Sequence, residues 1–168
     1  MEKKFILTDK FVINSFGIKL FQIKCTKSFK YAQKGDFGGY VEKEGNLDQK
    51  NDAWVFGNAW VSDNARVSGD ARVSGDAWVS GNAWVSGDAD IENDNEHCGF
   101  DGFGSCNRHT HAYMTKEKKV EIICGCFRGS IEEFEKKVEE THSGTVYEKQ
   151  YKSIINVIKI KFGLTDFT

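Results

Sequence analysis

From Ala53 onward the chain repeats every six residues: AWVFGN, AWVSDN, ARVSGD, ARVSGD, AWVSGN, AWVSGD, ADIEND. A fixed period of this kind constrains the fold more than any composition does. Extended backwards, the period takes in LDQKND and VEKEGN. Val41 and Leu47 then fall in the alanine register, and nine hexads cover 41–94. The register never drifts, which excludes a five-residue repeat. Neither a nonapeptide calcium pattern nor a Thr-x-Thr array is present. Within each hexad, Ala and the Val or Ile two residues later point to one face of an extended strand, and the residue between them points away. The Gly-Asn, Gly-Asp or Asp-Asn pair that follows supplies a tight corner, because these residues tolerate positive φ. A short strand and a corner, repeated, describe a triangular parallel β-helix. Strict Ala/Val placement over seven units argues against low-complexity disorder.

The large aliphatic followed four residues later by a small residue resembles the hexapeptide pattern of left-handed β-helices. Three hexads make a coil of 18 residues, so nine make about three coils. Residues 18 apart then stack, and the outward residues sort into three stripes: Trp54, Arg72 and Asp90; Glu42, Trp60 and Trp78; Asp48, Arg66 and Trp84. Two stripes set Trp beside Arg, an arrangement suited to cation–π stacking. Trp54, Trp60, Trp78 and Trp84, with Arg66 and Arg72, form the expected interface for a partner or a second copy, since so much outward apolar area marks an association surface.

Charge divides the chain of 168 residues in three. Residues 1–40 hold eight Lys/Arg and three Asp/Glu, residues 41–94 hold four and eleven, and residues 95–168 hold eleven of each. The first segment alternates apolar and polar residues through Phe5, Leu7 and Phe11–Ile13, then Ile18, Leu20, Ile23 and Cys25, with Ser15-Phe16-Gly17 as the turn. This reads as a β-hairpin cap, completed by 34–40, over the open edge of the repeat. The last segment holds a glycine-rich loop at 99–105 and strands at 109–115 and 120–124. Ser130 caps a helix that runs to His142, and a second helix covers 147–161. It reads as a small α+β domain. The fold expected is mainly β, with an N-terminal cap, a repeat and a C-terminal domain at 1–40, 41–94 and 95–168.

The formal charge of −2 gives no reason to expect general nucleic-acid binding. No apolar run approaches the roughly 18 residues that span a membrane, and the start lacks the pattern of a signal peptide. Five cysteines, an odd number, read as reduced thiols in a cytoplasm. His97, Cys98, Cys106, His109, His111, Cys124 and Cys126 are seven potential metal ligands, but they lack the paired C-x₂₋₄-C knuckles of zinc sites. The expectation is therefore no metal and no cofactor. A Cys–His nucleophile has no supporting local signature.

The repeat is similar to that of acyltransferases built on left-handed β-helices, which place a catalytic histidine on or near a protruding loop. Here the array carries neither loop nor histidine, which leaves acyl transfer as an alternative only. Further motifs are LFQIKCTKSF at 20–29, GDFGGYVEKEGNLDQ at 35–49 and CGCFRGSIEEFEKKVEETH at 124–142. With the array, they make the chain resemble a family of phage and prophage hexapeptide-repeat proteins, the first two as its N-terminal cap and the last as its C-terminal domain. That resemblance implies a phage setting in the host cytoplasm. It also implies a non-catalytic counter-defence role, either sequestering a nucleotide signal or blocking a host protein as a homo-oligomer. A structural role in the phage is a further alternative. A nucleotide site needs aromatic faces and phosphate donors. The candidates are Ser105, Asn107, Arg108 and Thr110, with Arg128 and Gly129 beside the helix start at Ser130.

Overall fold

The computed structural model describes residues 2–164. The chain divides into two compact units, Met1–Asp94 and Asn95–Thr168. In the first, β1 (Phe5–Ile13) and β2 (Lys19–Cys25) form an antiparallel hairpin, and β3 (Phe37–Val41) pairs with β2. Each later hexad then contributes a two-residue strand: β4 (Trp54–Val55), β5 (Trp60–Val61), β6 (Arg66–Val67), β7 (Arg72–Val73), β8 (Trp78–Val79), β9 (Trp84–Val85) and β10 (Asp90–Ile91).

These strands pair in parallel with the strand three hexads on. The ladders are β4–β7–β10, β5–β8 and β6–β9, with partners 18 residues apart, such as Val55 with Val73. The unit is a β-solenoid. Its core is the alternating Ala and Val set, from Ala53 and Val55 to Ala89 and Ile91, all shut off from solvent. At the corners, Gly57, Gly69, Gly75, Gly81 and Gly87 all take positive φ, and Asp63 holds the same conformation at φ 57°.

The first two hexads sit differently from the sequence reading. Val41 pairs with Val61, and Leu47 bridges Val67, so both occupy the valine position rather than the alanine position. Leu47 is followed by two more residues than a hexad allows before Val55. The excess is taken up at 48–52, where the Lys50 N–H and the Asn51 amide both turn onto the Asp48 carboxylate. A two-residue offset keeps every side chain on its own face, which is why the alternation alone does not reveal it. The stripes are therefore Tyr40, Trp60 and Trp78, and Asn46, Arg66 and Trp84; Glu42 and Asp48 do not head them.

The ladder runs both ways, as parallel pairing requires: the Trp54 N–H donates to the Ala71 carbonyl, and the register that sets Trp54 against Arg72 turns the Trp54 carbonyl to the same neighbouring strand. Each end of the array is thus left with both carbonyls and N–H groups that have no further coil to meet; at the start, for instance, the Asp63 N–H is taken by the Glu42 carboxylate. Three donors close the start. Lys4 Nζ reaches the Ala53 carbonyl at 2.8 Å, the Tyr40 N–H reaches Ala59 at 2.9 Å, and Asn46 Nδ2 reaches Ala65 at 2.8 Å. At the far end an acceptor does the converse, the Asp94 carboxylate taking the Trp78 N–H at 2.7 Å. At both edges, backbone groups that would otherwise template strand addition are taken up by side chains of the chain itself.

In the second unit, β11 (His97–Phe103), β12 (Arg108–Met114), β13 (Val120–Cys124) and β14 (Phe127–Ser130) form an antiparallel meander. Helices α1 (Ile131–His142) and α2 (Val146–Lys161) follow. Ala112, Ile122 and Cys124 of the sheet pack with Phe134 and Val138 of α1 and with Tyr151, Ile154 and Ile158 of α2. The 99–105 segment, expected as a loop, is largely strand. Cys98 and Phe100 turn toward this core, and the rings of His109 and His111 fill the space over Gly99.

Candidate functional site

The cleft with the clearest chemistry lies in the second unit, where the β13–β14 turn meets α1 and α2. It encloses about 210 Å³ and is lined by Arg108, Cys124, Cys126, Phe127, Phe134, Lys137, Val138, Thr141, His142 and Tyr151. Its wall is aromatic: Phe127 lies 5.0 Å from Phe134, and Phe134 meets Tyr151 edge-on at 5.6 Å. His142 stacks on Tyr151 at 5.5 Å with 29° between the planes. Such rings offer faces to a planar ligand.

Local sequence explains each placement. Gly125 holds the β13–β14 turn with φ 61°, and the Arg108 guanidinium lies over it where any Cβ would intrude. Among the described residues no carboxylate pairs with Arg108. Gly104 likewise leaves room for the Tyr151 hydroxyl, and its N–H donates to Gln150 at 2.9 Å. The Cys124 thiol donates to the Tyr151 oxygen at 3.7 Å and accepts from the Thr110 hydroxyl at 3.2 Å. Burial first, and then the Cys124 contact, push the Tyr151 phenol up to about 12, so it stays protonated. Arg108, Lys137 and His142 edge the cleft, and the lining contains no Asp or Glu. A low-polarity wall rimmed by the Arg108 and Lys137 cations attracts anions.

The six ligand candidates do not converge. Arg108 lines the cleft. Ser105 and Asn107 are exposed on the β11–β12 turn, where Asn107 has φ 49°. Thr110 is fully buried and spends its hydroxyl on Cys124, so it cannot meet a ligand. Arg128 pairs with Glu121 at 2.7 Å, and the Gly129 side of the α1 N-terminus is filled by Glu133. There Ser130 and Glu133 form a reciprocal capping box, the carboxylate taking the Ser130 N–H at 2.8 Å. The helix start already holds its own anion. Lys137, Thr141 and His142 escaped the sequence reading. They border the Phe134–Val138 stripe on α1, and plotting that helical face brings them into view.

His97, His109 and His111 gather on β11 and β12, while the cysteines are scattered. His97 Nδ1 and His111 Nε2 lie 3.2 Å apart, and His109 Nδ1 pairs with Asp101 at 2.8 Å. Cys106 and Cys126 are exposed, whereas Cys124 is buried and Cys98 is partly so. Burial pushes the Cys98 thiol up to about 11. Among the described residues no three His, Cys, Asp or Glu side chains converge on one metal position.

The outward tryptophans differ from one another. Trp54 is buried beneath Phe5 and Phe29, at 6.3 and 5.3 Å, because the 26–36 segment folds over that face. It is therefore no part of an accessible interface. Arg72 stacks not on Trp54 but on Phe56 and Tyr31, at 5.4 and 5.9 Å, while it pairs with Asp90 at 3.6 Å. Trp60 and Trp78 are half-buried and meet edge-on at 5.8 Å. Trp84 is 48 % exposed, opposite an exposed Arg66.

Residues 59–75, 65–81 and 71–87 match the YdcK Beta solenoid repeat. No curated protein matches the chain. Among the described residues no helix is long and apolar enough to cross a membrane.

Proposed function

We propose that the chain is a non-catalytic binding protein whose C-terminal unit takes a small anionic ligand with a planar ring, of the nucleotide class. One observation carries this reading: the aromatic cleft is edged by Arg108, Lys137 and His142 and lined by no carboxylate. Its volume of about 210 Å³ suits one ring and a phosphate rather than a large cofactor. The resemblance described above supplies the setting: a phage- or prophage-encoded protein of the host cytoplasm, acting against a host defence by sequestration. In the same reading the solenoid is left-handed with about three coils. The exposed Arg66–Trp84 face supports homo-oligomer formation, which would cover the most exposed tryptophan.

Equilibrium binding of purified protein to a panel of mono-, di- and cyclic nucleotides tests the proposal. We expect saturable binding, release of unchanged nucleotide on denaturation, and at least ten-fold weaker binding in Arg108→Ala. Arg128→Ala, which removes a cation paired with Glu121 and outside the cleft lining, serves as the control. No binding across the panel, or equal affinity in Arg108→Ala, would overturn the ligand assignment. Release of a modified nucleotide would instead mean catalysis.

A further inference from the structure

The solenoid carries a column of polar residues along each corner, and the three columns are satisfied in different ways. Along one, Asn64 donates its side-chain amide to Asn82 at 3.3 Å, a neutral ladder. Along another, the Asp70 carboxylate is met by Lys30 Nζ at 2.6 Å. Along the third, Asn58, Asp76 and Asp94 follow one another at 18-residue steps. Here Asp76 is exposed, and among the described residues nothing pairs with its carboxylate. Asp94, the next in the column, spends one oxygen on the Trp78 N–H. Carboxylates one coil apart repel, a cost that a cation placed between or beside them would offset.

This third column borders the Tyr40, Trp60 and Trp78 stripe. Together they line a groove of about 350 Å³ whose far side is Val12, and whose lining holds two carboxylates and no Lys, Arg or His. The indoles of Trp60 and Trp78 stand at 72° to one another, so they form two walls of a box rather than a flat stack. Trp78 is held in that pose by its Nε1–H, which donates to Ser62 at 3.1 Å. Phe16, on the hairpin turn, lies 5.9 Å from Trp78 and is otherwise exposed. Aromatic faces carry negative quadrupole density and attract ammonium groups, and more strongly where water is partly excluded.

The geometry points to an alkylammonium site in this groove, with Trp60 and Trp78 as walls and Asp76 as counter-charge. Its charge is opposite to that of the C-terminal cleft, so the two sites take different ligands. The ammonium group belongs either to a free amine or to a lysine side chain of a partner protein. Both present the same chemistry to the box.

The indole N–H resonances of the intact protein, assigned by Trp substitution, give the test. Titration with tetramethylammonium chloride is expected to shift the Trp60 and Trp78 signals saturably. Those of Trp54 and Trp84 should stay in place, as should all four in sodium chloride of equal ionic strength. Asp76→Asn, at an exposed corner, should weaken the effect at least three-fold, and Trp78→Phe should weaken it while retaining an aromatic wall. Butylammonium and a trimethyl-lysine peptide distinguish the two sources by their relative affinity. Shifts no larger than those in sodium chloride, or an unchanged response in Asp76→Asn, would overturn the site. So would sedimentation showing a dimer whose Trp60 and Trp78 are already occluded by a second copy.

Discussion

Gln49 pairs with Phe5 as a neighbouring strand would, its side-chain Oε1 accepting the Phe5 N–H at 3.2 Å and its Nε2 donating to the Phe5 carbonyl at 3.2 Å. The same oxygen also takes the Lys4 N–H at 2.8 Å. One amide thereby replaces a peptide group where the insertion after Leu47 breaks the regular ladder. Gln49→Ala should cost about 1–3 kcal/mol, because the Phe5 backbone groups then lie beside a buried ring without partners. Urea denaturation against wild type measures it, and a change below about 0.5 kcal/mol would show that water replaces the amide.

Lys4 is the second half of that closure. Its ammonium is buried against the Asn51 and Ala53 carbonyls and lies 5.1 Å from the Phe29 ring centre. Burial pushes it down to about 8 from 10.5, although Asp48 and Asp52 act in the opposite direction. Below pH 8 both folded and unfolded chains carry the proton. Between pH 8 and 10.5 the unfolded chain holds a proton that the folded chain has released, so this group adds stability as pH rises and withdraws it as pH falls. Cys25, whose thiol is pushed up by burial, works the other way above its ordinary 9.0. The contribution of Lys4 is therefore read as the difference between wild type and Lys4→Met. That difference should move in favour of wild type from pH 8 to 10, and a flat difference would contradict the shift.

The corners offer a paired comparison. A Cβ on Gly75 would sit on the Glu92 carbonyl oxygen, whereas a Cβ on Gly81 meets nothing within 4 Å. Both have positive φ, 61° and 65°. Gly81→Ala should cost only the left-handed conformation, about 1–2 kcal/mol. Gly75→Ala should cost clearly more, because the next coil must move. Thermal unfolding of the two variants side by side settles the order, and equal losses would mean that the corner yields freely.

Trp54 and Trp84 share a position in the repeat but not an environment. Trp54→Ala should lose about 3–5 kcal/mol through the cavity left beneath Phe5 and Phe29. Trp84→Ala should change the stability of the monomer by about 0.5 kcal/mol or less. If the Trp84 face joins copies, the same variant lowers the mass seen by light scattering. An unchanged mass would remove that face from the assembly.

Much of this architecture was legible in the residues. The Ala-x-Val period set the solenoid, its inward face and the 18-residue pairing, because hexad chemistry is local and repeated. Val120–Cys124 and the helix capped by Ser130 followed from alternation and capping chemistry. What stayed hidden depended on contacts distant in sequence. Nothing near Trp54 announces that Phe5 and Phe29 will cover it. Nothing near Thr110 shows that Cys124 will take its hydroxyl. The Val41 and Leu47 register was ambiguous for another reason: an offset of two residues leaves the alternation intact. In the cleft, Arg108 was found through its charge, while His142 passed for the end of a helix.

Pairing at intervals of 18 residues also governs how such a chain can change length. Loss or gain of three hexads removes or adds one complete coil and leaves every remaining column in place. Loss of a single hexad would turn everything downstream by one face. Trp78 would leave the column it shares with Trp60, and Asp94 would no longer reach the Trp78 N–H. The array can therefore be lengthened or shortened only in whole coils if the groove and the closed ends are both to survive.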